Sequence, residues 1–475
     1  MLFSSSIFLF LFLPVVLGLY YLSPDKFKNL TLLVTSLFFY TWGEKALVLV
    51  MMLSTVIDFF AAQIIARGEK KFGLYLSVFS NLGLLGFFKY FNFAFENFHA
   101  LINFFGVDNP FLHNIPHITL PIGISFYTFQ TMSYTIDVYR GHVKANKNFI
   151  DFAAYVVMFP QLIAGPIVRY ADIFTQLKNK NISAENFALG IKRFIVGLSK
   201  KMLIANACAA VADSVFEAPV DEISVLWAWL GIIAYAFQIF FDFSGYSDMA
   251  IGLGKMFGFD FLENFNYPYI SKNIREFWQR WHISLSTWFR DYLYIPLGGS
   301  RVTPLKVYRN LLIVFFVTGL WHGASWNFIL WGMFHGFFLI MERVGLRKIL
   351  NRIWLPVRHG YTLLVVLIGW VFFRADNLPD SLEYLTRMFS LESGEPARVT
   401  YLNFFYFNAE YLVVTIIAIL WSTPALEKFA ASLIGLGKRM PTFKWLEMMF
   451  LFLLFIWAAS YTAADTYNPF IYFRF

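Results

Sequence analysis

The side chains able to do chemistry in this sequence crowd between Asp242 and His335, within segments that are otherwise apolar. Ionisable groups in such surroundings are expensive and mark function by default. One stretch, Arg275-Glu-Phe-Trp-Gln-Arg-Trp-His-Ile-Ser-Leu-Ser-Thr-Trp-Phe-Arg290, sets Arg275, Gln279, His282, Ser286 and Arg290 at intervals of 4, 3, 4 and 4 residues. On a helix that spacing predicts one polar face. Trp281, Leu285, Trp288 and Tyr292 form an aromatic stripe beside it, and Pro296-Leu-Gly-Gly299 forces a turn at its end. The polar face suits the wall of a cleft and equally the headgroup side of an interfacial helix. A second centre is Gly319-Leu-Trp-His-Gly-Ala-Ser-Trp-Asn327, where His322 closes an apolar run from Leu311 to Leu320. No acid or base lies within five residues of it, and the small residues that follow let backbone or substrate come close. Imidazole is the side chain best suited to take a proton near neutrality, so His322 is a candidate general base. A packing histidine bonded to a nearby carbonyl is the competing reading.

The remaining signals are weaker. His113 and His117 stand with Asp108 in a polar loop, His142 and His359 in basic loops, and His99 near an apolar boundary, all consistent with solvated or interfacial roles. His335 lies in Gly332-Met-Phe-His-Gly336, as packing or as support for a site. Neither HExxH nor a cluster of histidines is present, so no metal is expected. Phe243-Ser-Gly-Tyr-Ser-Asp248 only superficially resembles a nucleophile elbow. Asp242 and Asp248 read instead as buried ties between helices. Gly252-Leu-Gly254 is too short for a dinucleotide fingerprint, and no Walker motif occurs. The one cysteine, Cys208, rules out a disulfide framework and reads as a packing residue.

The elements that must position these residues follow from composition. The chain has 475 residues, 58% hydrophobic and 14% charged, with 59 phenylalanines. An aqueous core cannot hide that much apolar surface, so the bilayer is the expected solvent. Clear apolar runs lie near 5–22, 46–66, 72–90, 223–241, 311–322, 326–342, 360–373, 408–422 and 447–463. Less regular ones lie near 29–43, 90–106, 118–138, 149–170, 188–216 and 245–260. The expectation is an all-α, polytopic membrane bundle of roughly 11–16 helices, some short or re-entrant, around a polar interior. It is read as one domain over 1–475, and the first run, Ile7 to Tyr21, as a retained span rather than a cleaved leader. The net charge of +8 is spread in short clusters between apolar runs, which argues for membrane loops and against nucleic acid. Arg67, Lys70, Lys71, Arg140, Lys144, Lys147, Arg343, Arg347, Lys348, Lys438 and Arg439 make one set of loops basic. Asp108, Glu217, Asp221, Glu222, Asp376, Asp380, Glu392 and Glu395 make the other set acidic. The positive-inside rule puts the basic set in the cytoplasm and makes the segment from about 375 to 405 the largest outer one.

Five motifs in order carry a resemblance. They are Phe159-Pro-Gln-Leu-Ile-Ala-Gly-Pro166, Phe241-Asp-Phe-Ser-Gly-Tyr-Ser-Asp248, Phe277-Trp-Gln-Arg-Trp-His282, Trp321-His322-Gly323 and the terminal Asp465-Thr-Tyr-Asn-Pro-Phe-Ile-Tyr-Phe-Arg474. Together they resemble the membrane-bound O-acyltransferase superfamily, and the two ends of the chain resemble its bacterial alginate O-acetylation group. The resemblance implies a tunnel through the membrane, with His322 matching the family's catalytic histidine and His282 a second polar residue about forty positions earlier. It implies a relay of acetyl groups from a cytoplasmic thioester, expected to be acetyl-CoA, to an acceptor outside, with no bound cofactor. His322 would serve as base and His282 would orient substrate or stabilise an oxyanion. Trp278, Gln279, Trp281, Ser286, Trp321 and Asn327 would line the acyl channel, while Arg275 and Arg280 would attract the donor's phosphates. That reading expects an inner-membrane protein of a bacterium that needs an extracytoplasmic acetyltransferase or polysaccharide-modifying partner. Peptidoglycan acetylation and D-alanyl transfer are alternatives within the superfamily. A transporter and a scaffold for a soluble partner are alternatives outside it.

Overall fold

The computed structural model of this protein describes residues 1–106, 117–390, 409–426, 428, 442–464 and 471. Asp108, His113, Glu392, Glu395, Lys438, Arg439 and the terminal motif, apart from Ile471, lie outside the described residues. All regular elements among the described residues are helical. The first group runs through α1 (Leu13–Leu22), α2 (Lys28–Glu44), α3 (Val48–Ala66), α4 (Lys70–Phe104) and α5 (Ile124–Arg140). Then come the short α6 (Phe149–Val157) and α7 (Tyr170–Lys178), followed by α8 (Ala184–Ser199), α9 (Asn206–Phe216) and α10 (Val225–Met256). The last group is α11 (Ile274–Arg280), α12 (Ile283–Phe289), α13 (Pro304–His322), α14 (Trp326–Met341), α15 (Leu355–Arg374), α16 (Leu378–Met388), α17 (Ala409–Trp421) and α18 (Thr442–Ala463). Seven helical stretches among the described residues are long and apolar enough to cross a membrane. Their outer faces stay apolar and uncovered, as at Phe79, Phe104 and Trp445, which fits lipid rather than water around them.

Three features depart from the sequence expectation. The runs at 72–90 and 90–106 form the single helix α4, and those at 223–241 and 245–260 form α10. Glycine does not break α10 because it serves close packing: a Cβ on Gly252 would lie 2.6 Å from the Gly190 carbonyl of α8. The polar stretch 275–290 is not one helix. It breaks at Trp281–His282, where His282 adopts φ 42° and ψ 57°, and α11 and α12 run separately on either side. The single face through Arg275, Gln279, His282 and Ser286 therefore does not exist: Arg275 and Gln279 are exposed while His282 is fully buried.

Buried polar groups tie the bundle. Asp58 of α3 accepts from Ser77, from Asn81 at 2.5 Å and from Thr135 at 2.8 Å, joining α3, α4 and α5. A π-helical step at Lys200–Ala205 carries Lys201 to Asp242, 2.7 Å away, while Arg193 and Lys200 hold Asp248 at 2.6 and 2.7 Å. Both aspartates thus act as the helix ties expected of them. Among the described residues, hydrogen bonds and ion pairs also join the connections between helices. At the basic end Gln63 donates to the Asn146 carbonyl at 2.7 Å, and Glu342 accepts the Ile274 amide at 2.7 Å. At the acidic end the Ile122 amide donates to Glu44 at 3.0 Å, Trp326 donates to Asn97 at 2.9 Å, and Arg374 pairs with Asp213 at 2.6 Å.

Candidate active site

His322 is the last residue of α13, and Gly323 leaves the helix in an extended conformation. Its ring is buried in an aromatic box, with ring centres 4.9 Å from Trp321, 4.9 Å from Trp331 and 5.2 Å from Phe373. Neither ring nitrogen has a hydrogen-bond partner among the described residues. A buried imidazole with both nitrogens unspent carries a desolvation cost, unless a ligand or water meets it. Trp321 also touches the second histidine: its ring centre is 5.9 Å from that of His282, which rests on Phe243 at 4.7 Å. Trp321 is thus the shared wall between two buried imidazoles.

His282 is held by a residue that the sequence did not single out. Its Nδ1 lies 3.1 Å from Asn264 Oδ1, which also accepts from the Ser284 amide at 3.2 Å and the Ser284 hydroxyl at 2.9 Å. The Ser284 amide can only donate, so the Asn264 atom facing it is the oxygen, and Nδ1 of His282 carries the proton. Nε2 is then the lone-pair nitrogen, and it has no partner among the described residues. Backbone bonds from Ile283 to the Asn264 carbonyl at 2.9 Å, and from Asn266 to the Arg280 carbonyl at 2.9 Å, brace the break on both sides. No local motif marks Asn264. Lys89 was also missed. It is a lone cation in the apolar run of α4, so the rule for charges at membrane depth would have flagged it. Its ammonium contacts the main-chain oxygens of Trp321 at 2.5 Å and His322 at 3.3 Å.

The other residues expected at the site divide. Trp278 is buried against Trp331 and His335, with ring centres 5.6 and 5.3 Å away. Trp281 belongs to a neighbouring cluster with Phe265 at 5.0 Å and Trp370 at 4.9 Å. Asn327 is buried and donates to the Ala375 carbonyl at 2.8 Å, leaving its oxygen without a partner among the described residues. Ser286 is half-buried on α12, and Ser284 takes the buried position instead. Arg275, Gln279 and Arg280 lie away from the histidines. With Asn266, Asn273, Glu276 and Arg347 they line an open cavity of ≈ 490 Å³ at the basic end, where Arg280 pairs with Glu276 at 3.0 Å. A second cavity of ≈ 390 Å³ opens at the acidic end, lined by Lys89, Gln238, Gly323, Ser325, Phe373 and Arg374 among others. Gly323 follows His322 in the chain and Phe373 packs on its ring, so this cavity reaches the histidine wall. No group of three His, Cys, Asp or Glu side chains that could hold a metal comes together among the described residues.

A helical bundle with buried imidazoles at His282 and His322, and a third at His335 whose ring nitrogens are also unpartnered among the described residues, could serve several chemistries. Comparison with known proteins decides among them: residues 95–373 match the model of the MBOAT, or membrane-bound O-acyltransferase, family. The chain belongs to that family. A probable alginate O-acetylase, AlgI, of Pseudomonas putida is 42% identical over 494 residues, covering 100% of both chains. The Azotobacter vinelandii protein of the same name is 46% identical over 430 residues, 88% of this chain and 85% of that one. A peptidoglycan O-acetyltransferase of Helicobacter pylori is 39% identical over 431 residues, 82% of this chain and 80% of that one. The protein is a multi-pass membrane enzyme that transfers acyl groups to oxygen. The motif resemblance and the membrane-bundle expectation both hold for this O-acyltransferase, and its family match spans His282 and His322. Lys89 lies upstream of that match.

Proposed function

We propose that this O-acyltransferase moves acetyl groups from a cytoplasmic thioester, acetyl-CoA, through the bilayer to an acceptor hydroxyl on the far side, for O-acetylation of an exopolysaccharide such as alginate. The observation that carries this reading is the buried His322, with neither ring nitrogen partnered among the described residues, sharing the Trp321 wall with His282, whose Nε2 is likewise unpartnered. His322 takes the proton of the acceptor hydroxyl as its oxygen attacks the thioester carbonyl. The tetrahedral adduct then collapses, the carbon–sulfur bond breaks, and the departing thiolate receives a proton from His322. His282 presents a lone pair at Nε2. That suits an orienting role, accepting a hydrogen bond from substrate, better than donation to an oxyanion. Trp278, Trp321 and Trp331 shape the passage and keep water from the thioester. Arg275, Arg280 and Arg347 at the basic mouth supply positive charge for the donor's phosphates. Positive-inside bias makes that mouth the cytoplasmic one, and the bacterial relatives fit a bacterial inner membrane. The whole-chain similarity to acetylating relatives supports an acetyl cargo. A separate extracytoplasmic enzyme would complete transfer to the polymer.

The test is transfer of radiolabelled acetyl from acetyl-CoA by the purified full-length protein, beside chemical analysis of envelope esters in a deletion strain complemented with each variant. His322→Ala should lower transfer by about 10²–10⁴ while the protein still folds. Ordinary transfer by His322→Ala would sink the base assignment. Loss of peptidoglycan-bound rather than polysaccharide-bound acetate in the deletion strain would favour the acceptor named for the Helicobacter relative.

A further inference from the structure

Lys89 is buried in α4 with its ammonium against the end of the helix that carries His322. It donates to the carbonyls of Trp321 at 2.5 Å and His322 at 3.3 Å, and to the Ser125 hydroxyl at 3.4 Å. The adjacent Tyr90 hydroxyl donates to the Leu320 carbonyl at 2.7 Å. Three successive carbonyls of the last turn of α13 are therefore satisfied by two neighbouring side chains of α4. A helix end ordinarily leaves its last carbonyls to a glycine turn, to water or to capping side chains. Here Gly323 is extended and makes no such turn, and the carbonyls of Trp321 and His322 meet Lys89 instead, so the cap comes from elsewhere in the fold. The cation also lies at the negative end of the α13 dipole, where positive charge is favourable. Its three partners are neutral oxygens, so its charge is not cancelled by a carboxylate, and it lines the cavity at the acidic end.

We propose that Lys89 is a positioning residue for acyl transfer: it caps the helix that ends in His322 and fixes that imidazole against the acidic-end cavity. The inference rests on His322 being the base. A ring freed to shift by about 1 Å would lose on the order of 10²-fold in rate without losing the donor, which binds from the opposite mouth.

The experiment uses full-length protein with Lys89→Met, which keeps the stem and removes the charge, and Lys89→Arg, which restores a cationic donor. Binding of labelled acetyl-CoA to purified protein reports an intact fold and donor mouth. Ester-bound acetate deposited on the envelope of the complemented deletion strain reports turnover. Lys89→Met is expected to bind acetyl-CoA within about threefold of wild type yet deposit roughly 10²-fold less acetate, and Lys89→Arg to recover at least about tenfold. Joint loss of binding and deposition in Lys89→Met would make the residue a fold element and overturn the inference, as would failure of Lys89→Arg to recover. Normal deposition by Lys89→Met beside a silent His322→Ala overturns this inference alone. Normal deposition by His322→Ala overturns the base assignment and this inference with it.

Discussion

His282 sits where side chains rarely go. Its φ of 42° costs a β-carbon residue about 1–2 kcal/mol, and three bonds to Asn264 Oδ1 together with two backbone bonds hold the strain in place. Strain retained around a fully buried imidazole suggests that the conformation serves the ring, because it turns His282 inward while Arg280 and Gln279 face the basic mouth. This separates folding from function in a measurable way. His282→Gly should be more stable than His282→Ala by roughly 1 kcal/mol, since glycine accepts this backbone freely. His282→Asn should resemble the glycine variant, because asparagine tolerates the left-handed region. All three should fall well below wild type in acetyl transfer. Thermal melting in detergent beside the transfer assay checks both halves, and an alanine variant as stable as glycine would remove the strain argument. At this scale the sequence was informative for a physical reason: a histidine or lysine among apolar residues is visible by type alone. Asn264 was not visible, because an asparagine in a polar loop looks the same whether it faces solvent or a buried imidazole.

Helices bring these residues together through close approach. The α13–α14 pair packs backbone to backbone, and a Cβ on Gly332 would stand 2.2 Å from the Phe315 carbonyl. The adjacent Trp331 forms part of the box around His322. Gly332→Ala therefore has no flexible neighbour to displace and must separate the two helices, at about 1–3 kcal/mol for overpacking and with further loss of activity from the displaced ring. Gly86, in the middle of α4, faces open space, with nothing within 4 Å of where a Cβ would stand. Gly86→Ala should be neutral or more stable by up to about 1 kcal/mol from helix propensity. Comparing the two melting temperatures tests whether the α13–α14 approach is required; equal behaviour would refute it. The same physics explains which elements were legible. Apolar runs located the spans, since burial in lipid imposes length and composition. The runs at 223–241 and 245–260 read as separate segments because sequence does not reveal the neighbouring helix that α10 packs against. The regular spacing from Arg275 to Arg290 read as one helix because periodicity is blind to a single left-handed residue.

As a whole the molecule is two-ended, and the direction of transfer depends on which end faces the cytoplasm. Among the described residues, one cavity is lined by Arg275, Arg280 and Arg347, and another, beside the end of α13, takes in Asp213 and Asp376. A donor bearing several phosphates would be drawn to the mouth with Arg275, Arg280 and Arg347, and the bias of Lys and Arg toward the cytoplasm puts the same mouth there. Donor charge and insertion charge thus point the same way, both through the same basic side chains. The chain offers a clean probe because its single cysteine, Cys208, is buried. In a Cys208→Ser background, Arg347→Cys and Asp376→Cys place one exposed thiol at each end. A membrane-impermeant maleimide applied to spheroplasts should label Asp376→Cys at once and Arg347→Cys only after the inner membrane is opened. The reverse pattern would put the arginine-lined mouth outside, where no acetyl-CoA exists to meet it, and would end the proposed direction of transfer. Labelling of both before permeabilisation would mean that the two ends do not lie across the bilayer from each other, and the relay itself would fall with it.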